Sequence, residues 1–173
     1  ERFYSPDQIW INADGTYSGV GATDINGSER CFFIQYDTML NPTKFQLFPK
    51  YDSIQDMTIK PTPDSGYIII GNSARVYEDS TYFTIIKTSP GGKEVKRNVY
   101  DSLSNAVEVA ASNDSEYVAL VREVKPKDFY NAKYVLVALD RDLNIKKKTE
   151  VNDSLEFLPG QLFNLYQTKD NGF

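Results

Sequence analysis

The stretch of this chain that looks most like a ready-made site is Asp140-Arg141-Asp142-Leu143-Asn144, whose D-x-D-x-N spacing opens a calcium-binding loop. Such a loop needs glycine at its sixth position for a sharp bend and a bidentate carboxylate at its twelfth. Ile145 and Val151 stand there instead, so the segment reads as a plain turn. Asp24, Asn26 and Glu29 in GATDINGSERC could also collect a cation, but a polar turn around Asn-Gly accounts for them without one. Two carboxylates alone suffice to cleave a glycosidic bond, and Glu78, Asp79, Glu123 and Asp128 lie in variable stretches where a pair could form. The chain has one cysteine, Cys31, and no histidine. Without histidine it has no Ser-His-Asp or Cys-His nucleophile and no zinc site of the ordinary type. Cys31 sits in the apolar run RCFFIQYD and reads as a buried strand thiol. No metal and no cofactor are expected.

A chain of 173 residues, 40% of them hydrophobic, can bury a substantial core. Its 12 Tyr and 10 Phe, set among many Ile and Val, favour strands over helices. A net charge of −5 argues against nucleic acid or an anionic membrane as partner, because phosphate binding needs concentrated Lys and Arg. The one basic run, Lys146-Lys147-Lys148, reads as a solvated outer strand. No stretch approaches the ~20 apolar residues of a membrane span. The chain opens on Glu1-Arg2-Phe3-Tyr4 with neither an initiator Met nor a signal-peptide pattern, and is expected to have been processed or cut from a longer one.

What must position any site is a repeat. An Asp followed three places later by an aromatic occurs four times, as Asp14 with Tyr17, Asp64 with Tyr67, Asp114 with Tyr117 and Asp170 with Phe173, the aromatics spaced by 50, 50 and 56 residues. Eight residues before each aromatic stands an aliphatic: Ile9, Ile59, Val109 and Leu165. An Asp-Ser-aliphatic triplet precedes the later copies at Asp52-Ser53-Ile54, Asp101-Ser102-Leu103 and Asp153-Ser154-Leu155. Self-similarity at such a period marks stacked supersecondary units.

In the second copy the pattern predicts strands over Asp56 to Lys60, Tyr67 to Gly71, Tyr82 to Thr88 and Glu94 to Tyr100, separated by Pro61 to Gly66 and by Ser89 to Lys93. Cys31 to Tyr36 and Tyr134 to Leu139 are the third strands of the other copies. Four short strands per ~50 residues, the outermost polar, form the pattern of a β-propeller blade. Continuous apolar runs such as Tyr67-Ile68-Ile69-Ile70 suit sheets covered on both faces. The expected architecture is an all-β propeller of four-stranded antiparallel blades: 1–6 ends a preceding blade, 7–50, 51–100 and 101–152 are full blades, and 153–173 begins a following one. The recurrent aspartates Asp14, Asp64, Asp114 and Asp170 are expected to bond turn amides, with the neighbouring Gly left-handed.

Residues 22–30, 72–81 and 122–133 differ between copies and read as loops joining second and third strands. Arg75, Tyr77, Arg122, Phe129 and Tyr130 are the expected contacts to a ligand or partner there, since aromatic and arginine side chains anchor recognition surfaces. The bland reading is that Tyr77, Phe129 and Tyr130 fold back on their own blades.

The second copy, PTPDSGYIIIGNS followed by YFTIIKTSPGGKEV, resembles the repeats of secreted and surface-anchored β-propeller proteins of Bacteroidota, in which a turn like DGGY leads into an apolar strand and a strand like FxVIKTDxxG into a hairpin. The third copy departs from it at Glu116 and Val121. The resemblance implies export to the outer-membrane surface or beyond, with the periplasm as the alternative, a lipid anchor upstream of Glu1, and a binding role beside nutrient-uptake machinery. A non-catalytic module that binds a macromolecule or glycan is therefore expected, or a scaffold within a cell-surface complex. The rival expectation is a carbohydrate-active hydrolase or lyase working through loop or channel carboxylates.

Overall fold

The computed structural model describes residues 6–25, 28–49, 54–74, 81–101, 103–111, 116–125, 128–151 and 165. Among them the protein is all-β, with twelve strands in three four-stranded antiparallel sheets and no helix. The first sheet comprises β1 (Gln8–Ile11), β2 (Tyr17–Ile25), β3 (Ser28–Tyr36) and β4 (Pro42–Leu47). The second comprises β5 (Ile54–Pro61), β6 (Tyr67–Ala74), β7 (Thr81–Thr88) and β8 (Glu94–Tyr100), and the third β9 (Ser104–Ala111), β10 (Tyr117–Lys125), β11 (Asp128–Leu139) and β12 (Ile145–Glu150). Each is a meander in which consecutive strands are hydrogen-bonded neighbours.

The repeat is kept in register. Ile9 pairs with Gly19, Ile59 with Ile69 and Val109 with Ala119, so each aliphatic marker meets the residue two places beyond the aromatic of its own copy. Because side chains alternate across a strand, one face of each sheet repeats in the next. Val20, Phe33, Ile59, Tyr67, Ile69 and Ile86 form the core between the first and second sheets. Ile68, Ile70, Phe83 and Ile85 meet Val109, Tyr117, Ala119 and Val137 between the second and third. Ile59 and Val109 are completely buried at these seams, whereas Ile9, at the same repeat position, is 49% exposed.

The hairpins repeat as well. In the β3–β4, β7–β8 and β11–β12 connections, Asp37, Ser89 and Asp140 donate their N–H to the carbonyls of Asn41, Lys93 and Asn144. The residue before each acceptor is left-handed: Leu40 at φ 64°, Gly92 at 79° and Leu143 at 62°. Two of these turns share the pattern D-x-x-L-N, as DTMLN and DRDLN. Asp37 Oδ1 accepts the N–H groups of Met39 and Asn41, and Asp140 Oδ1 those of Asp142 and Asn144, each at 2.8 Å. In the D-x-D-x-N segment the Asp140 carboxylate thus closes the turn, while that of Asp142 lies 3.5 Å from Lys96 Nζ. In the β1–β2 hairpin Gly15 is left-handed at φ 82°, as the repeat predicts, but in β5–β6 that conformation falls to Ser65 at φ 64°, not to Gly66. Gly66 is needed for space: a Cβ on it would lie 2.1 Å from the carbonyl oxygen of Thr88.

These turns carry a pH dependence. Asp37 is held below the ordinary carboxylate value of 3.8 by the side chain and then the backbone of Asn41, and Asp140 by the backbone and then the side chain of Asn144. A depressed carboxylate contributes stability above its unfolded pKa that is lost as pH falls through the folded one. Burial raises Asp7 and Glu108, which act with the opposite sign at higher pH. The expected outcome in thermal unfolding is a midpoint that falls as the solution is acidified through and below pH 3.8. The double variant Asp37→Asn/Asp140→Asn should show a smaller fall.

Of the segments expected as loops between second and third strands, the described parts of 22–30 and 122–133 are paired strand ends. Ala22 pairs with Cys31 and Ile25 with Ser28, and Arg122 pairs with Tyr134 and Lys125 with Asp128. Polar residues end a strand only where the backbone loses its partner. Here both strands run on together, so the backbone keeps its ladder whatever the polarity of the side chains.

Candidate functional site

Of the residues singled out for recognition, Arg122 lies half-buried on β10, and Phe129 and Tyr130 fall within β11, not in a loop. Arg75, Tyr77, Asp114 and Asp170 lie outside the described residues, as do Glu78 and Asp79. Of the turn aspartates, Asp14 Oδ1 accepts the N–H of Thr16 at 3.0 Å and its hydroxyl at 2.7 Å. Asp64 accepts the hydroxyl of Thr62 and pairs with Lys87 at 2.9 Å. Hydrogen bonds hold both carboxyls below their usual range, chiefly from the Thr16 side chain to Asp14 and the Thr62 side chain to Asp64.

At the hairpin ends of the first and second sheets lies an open groove of about 580 Å³, within the range of small-molecule sites. Asn12, Asp14, Thr16, Gln35, Tyr36, Thr43, Lys44, Pro61, Ser65, Tyr67 and Pro90 line it. Beneath it a hydrogen-bond network crosses the seam. Asn12 Nδ2 donates to Thr16 Oγ1 and Ser18 Oγ at 2.9 Å, the completely buried Ser18 hydroxyl donates to Tyr67 Oη at 2.7 Å, and Tyr67 donates to Asn12 Oδ1 at 3.1 Å. Gln35 Nε2 reaches Ser18 Oγ, Tyr67 Oη and the Pro90 carbonyl at 3.3, 3.2 and 3.3 Å.

The neighbouring seam shows what this one would be if packing alone were required. Fifty residues on, Asn12, Ser18, Gln35 and Tyr67 become Thr62, Ile68, Ile85 and Tyr117. Ile68, Ile85 and Tyr117 are completely buried in one apolar cluster, at whose edge the Tyr117 hydroxyl faces the Lys87 ammonium. Lys87, paired with Asp64, stands 5.8 Å from the Tyr117 ring centre. The same backbone thus carries two isoleucines at one seam and a serine and a glutamine at the other. Placing the copies side by side would have exposed Ser18 against Ile68 and Gln35 against Ile85; that both pairs face a seam follows only from the register.

Removing one hydroxyl from each seam should separate the two. Tyr67→Phe takes the acceptor from Ser18 and the donor from Asn12 and is expected to cost about 1–3 kcal/mol. Tyr117→Phe removes a hydroxyl that faces the Lys87 ammonium, which keeps its pair with Asp64, and should cost less than Tyr67→Phe. Urea unfolding of both variants measures the difference.

Two other clusters are structural. On the first strands of the three sheets, Lys60 Nζ lies 5.0 Å from the Trp10 ring centre and 3.5 Å from Glu108 Oε2. Glu108 is raised by burial, opposed by the N–H of Val109 and by Lys60, and its side chain is only 5% exposed, which makes the pair an inter-sheet clasp. Cys31 is buried, donates to the Ile54 carbonyl at 3.4 Å and has its thiol pushed up by burial. The recess beside it holds about 10 Å³, room for at most one water. Among the described residues no group of His, Cys, Asp or Glu could hold a metal ion, and no helix is long and apolar enough to cross a membrane.

No protein-family model matches this chain, and no curated protein matches it.

Proposed function

We propose that the three sheets are consecutive blades of a β-propeller of the exported, surface-associated type, and that the protein is a non-catalytic module binding a macromolecule or glycan in the groove between its first two blades. The observation that carries this reading is the contrast between the seams. Polar residues in a core position cost stability unless they are satisfied, and the second seam fills the same two positions with isoleucine, so a requirement other than packing accounts for Ser18 and Gln35. The repeated face-to-face packing of four-stranded meanders supports the propeller, since such a sheet cannot bury both faces alone. Among the described residues Asp14 is the one carboxylate lining the groove. Glycosidic cleavage needs two, so binding is favoured there over the hydrolase alternative. Location at the outer-membrane surface or beyond, and a lipid anchor ahead of Glu1, belong to the same proposal.

Glycan and peptide arrays probed with the natural chain and with Gln35→Ile, which copies the second seam, test it. Binding present in the natural chain and lost in the variant is the expected result. Binding that survives Gln35→Ile but disappears with Arg122→Ala or Tyr130→Ala would move the site to the β10–β11 hairpin.

A further inference from the structure

Resting on that reading, we propose that the groove takes a neutral, polyhydroxylated chain, a segment of glycan, and not a peptide or an anion. The hairpin turns at the groove close on themselves. Asn12, Asp37, Thr62 and Ser89 donate their N–H groups to Thr16, Asn41, Gly66 and Lys93 within their own hairpins. A peptide recognised by strand addition needs a free row of such groups, which these turns do not offer; beside them the edge strand β4 brings Thr43 and Lys44 to the lining. The choice of ligand therefore rests on the side chains. Those at the groove are carboxamides and hydroxyls, which both donate and accept, as a sugar hydroxyl does.

Gln35 is built for exchange. Its Nε2 faces three acceptors at 3.2–3.3 Å with two hydrogens to give, and all three distances lie beyond the usual optimum near 2.9–3.0 Å. A ligand hydroxyl can take one of those hydrogens, and the network keeps its remaining bonds. Pro61, Pro90, Tyr36 and Tyr67 supply apolar and aromatic surface to the same groove, and C–H faces of a sugar ring pack on such surface while its hydroxyls reach the amides. Formal charge nearly cancels, with Asp14 and Lys44 the ionised side chains of the lining. Asp14 already accepts two bonds from Thr16. A phosphate or polyanion site would concentrate cations instead.

Titration calorimetry of the full chain against soluble neutral oligosaccharides (α- and β-linked glucans, mannans and galactans), acidic oligosaccharides and a pooled peptide library tests this. The expected result is saturable heat from at least one neutral oligosaccharide, weakened tenfold or more by Gln35→Ile and less than threefold by Lys44→Ala. Should Gln35→Ile fail to fold, Thr43→Tyr, at an exposed position of β4 lining the groove, must weaken binding likewise. Binding of peptide alone, or of an acidic sugar with affinity lost in Lys44→Ala, would overturn the ligand class and leave the groove as a binding site. Binding of any probe that neither Gln35→Ile nor Thr43→Tyr affects, or no binding by any probe, would overturn the ligand class and the binding reading together.

Discussion

Gly92→Ala is expected to destabilise the protein by about 2–5 kcal/mol, although Gly92 and its neighbour Gly91 look interchangeable in sequence. Gly92 is left-handed at φ 79°, where a Cβ costs about 1–2 kcal/mol by itself. That Cβ would also lie 1.9 Å from Cδ1 of Phe33, a completely buried ring in the core of the first seam, so the clash meets a side chain with nowhere to go. Overpacking of that kind adds about 1–3 kcal/mol. At Gly91 an added Cβ would meet only the end of the Lys44 side chain, at 3.8 Å. Gly91→Ala should therefore change stability by less than about 0.5 kcal/mol. Thermal unfolding will show it: for a chain of this length the Gly92 variant should melt roughly 10 °C lower and the Gly91 variant near the natural midpoint. Equal midpoints would mean that the β7–β8 hairpin does not close onto the first sheet.

The second large effect is Phe33→Ala, expected at about 3–5 kcal/mol. Phe33 packs 5.2 Å centre to centre against Tyr67 and shares its cluster with Val20, Ile59 and Ile69, so its loss leaves a cavity in the middle of the seam. Phe45, on the outer strand and 40% exposed, serves as the comparison and should cost far less. The two large effects must couple. With the ring gone, the Gly92 methyl has room, and Gly92→Ala in the Phe33→Ala background should retain only its backbone penalty of about 1–2 kcal/mol. Full additivity in denaturant unfolding would show that the hairpin and the ring do not touch.

Much of this arrangement is legible in the residues. The markers Ile9, Ile59 and Val109 and the aromatics Tyr17, Tyr67 and Tyr117 are spaced evenly because each copy lays its first two strands in one register, and the strand runs follow from apolar residues bounded by Pro, Gly and Asp. The left-handed positions were harder to see. Leu40, Ser65 and Leu143 occupy conformations that sequence preference assigns to glycine, and they are held there by hairpins led by Asp37, Thr62 and Asp140 that override the preference. The hairpin ends read as loops because their residues are polar, although pairing does not depend on polarity. The groove was hidden for a different reason. Ser18 and Gln35 are unremarkable in their own strand and become informative only beside Ile68 and Ile85 at the next seam. Arg122, Phe129 and Tyr130 attract notice through residue type, whereas the residues that open the seam do so through position.

The claim that the first seam is a binding groove is tested most directly by the side-chain amide resonances of isotopically labelled protein during titration with neutral oligosaccharides. The carboxamides of Asn12 and Gln35 should shift together and saturate at one ligand concentration. Those of Asn72 and Asn98, engaged with Ala106 and Leu143 of the third sheet, should stay in place. Backbone amide shifts in the same spectra confined to Arg122 and its neighbours on β10 and β11, with the Asn12 and Gln35 carboxamides unmoved, would contradict the account.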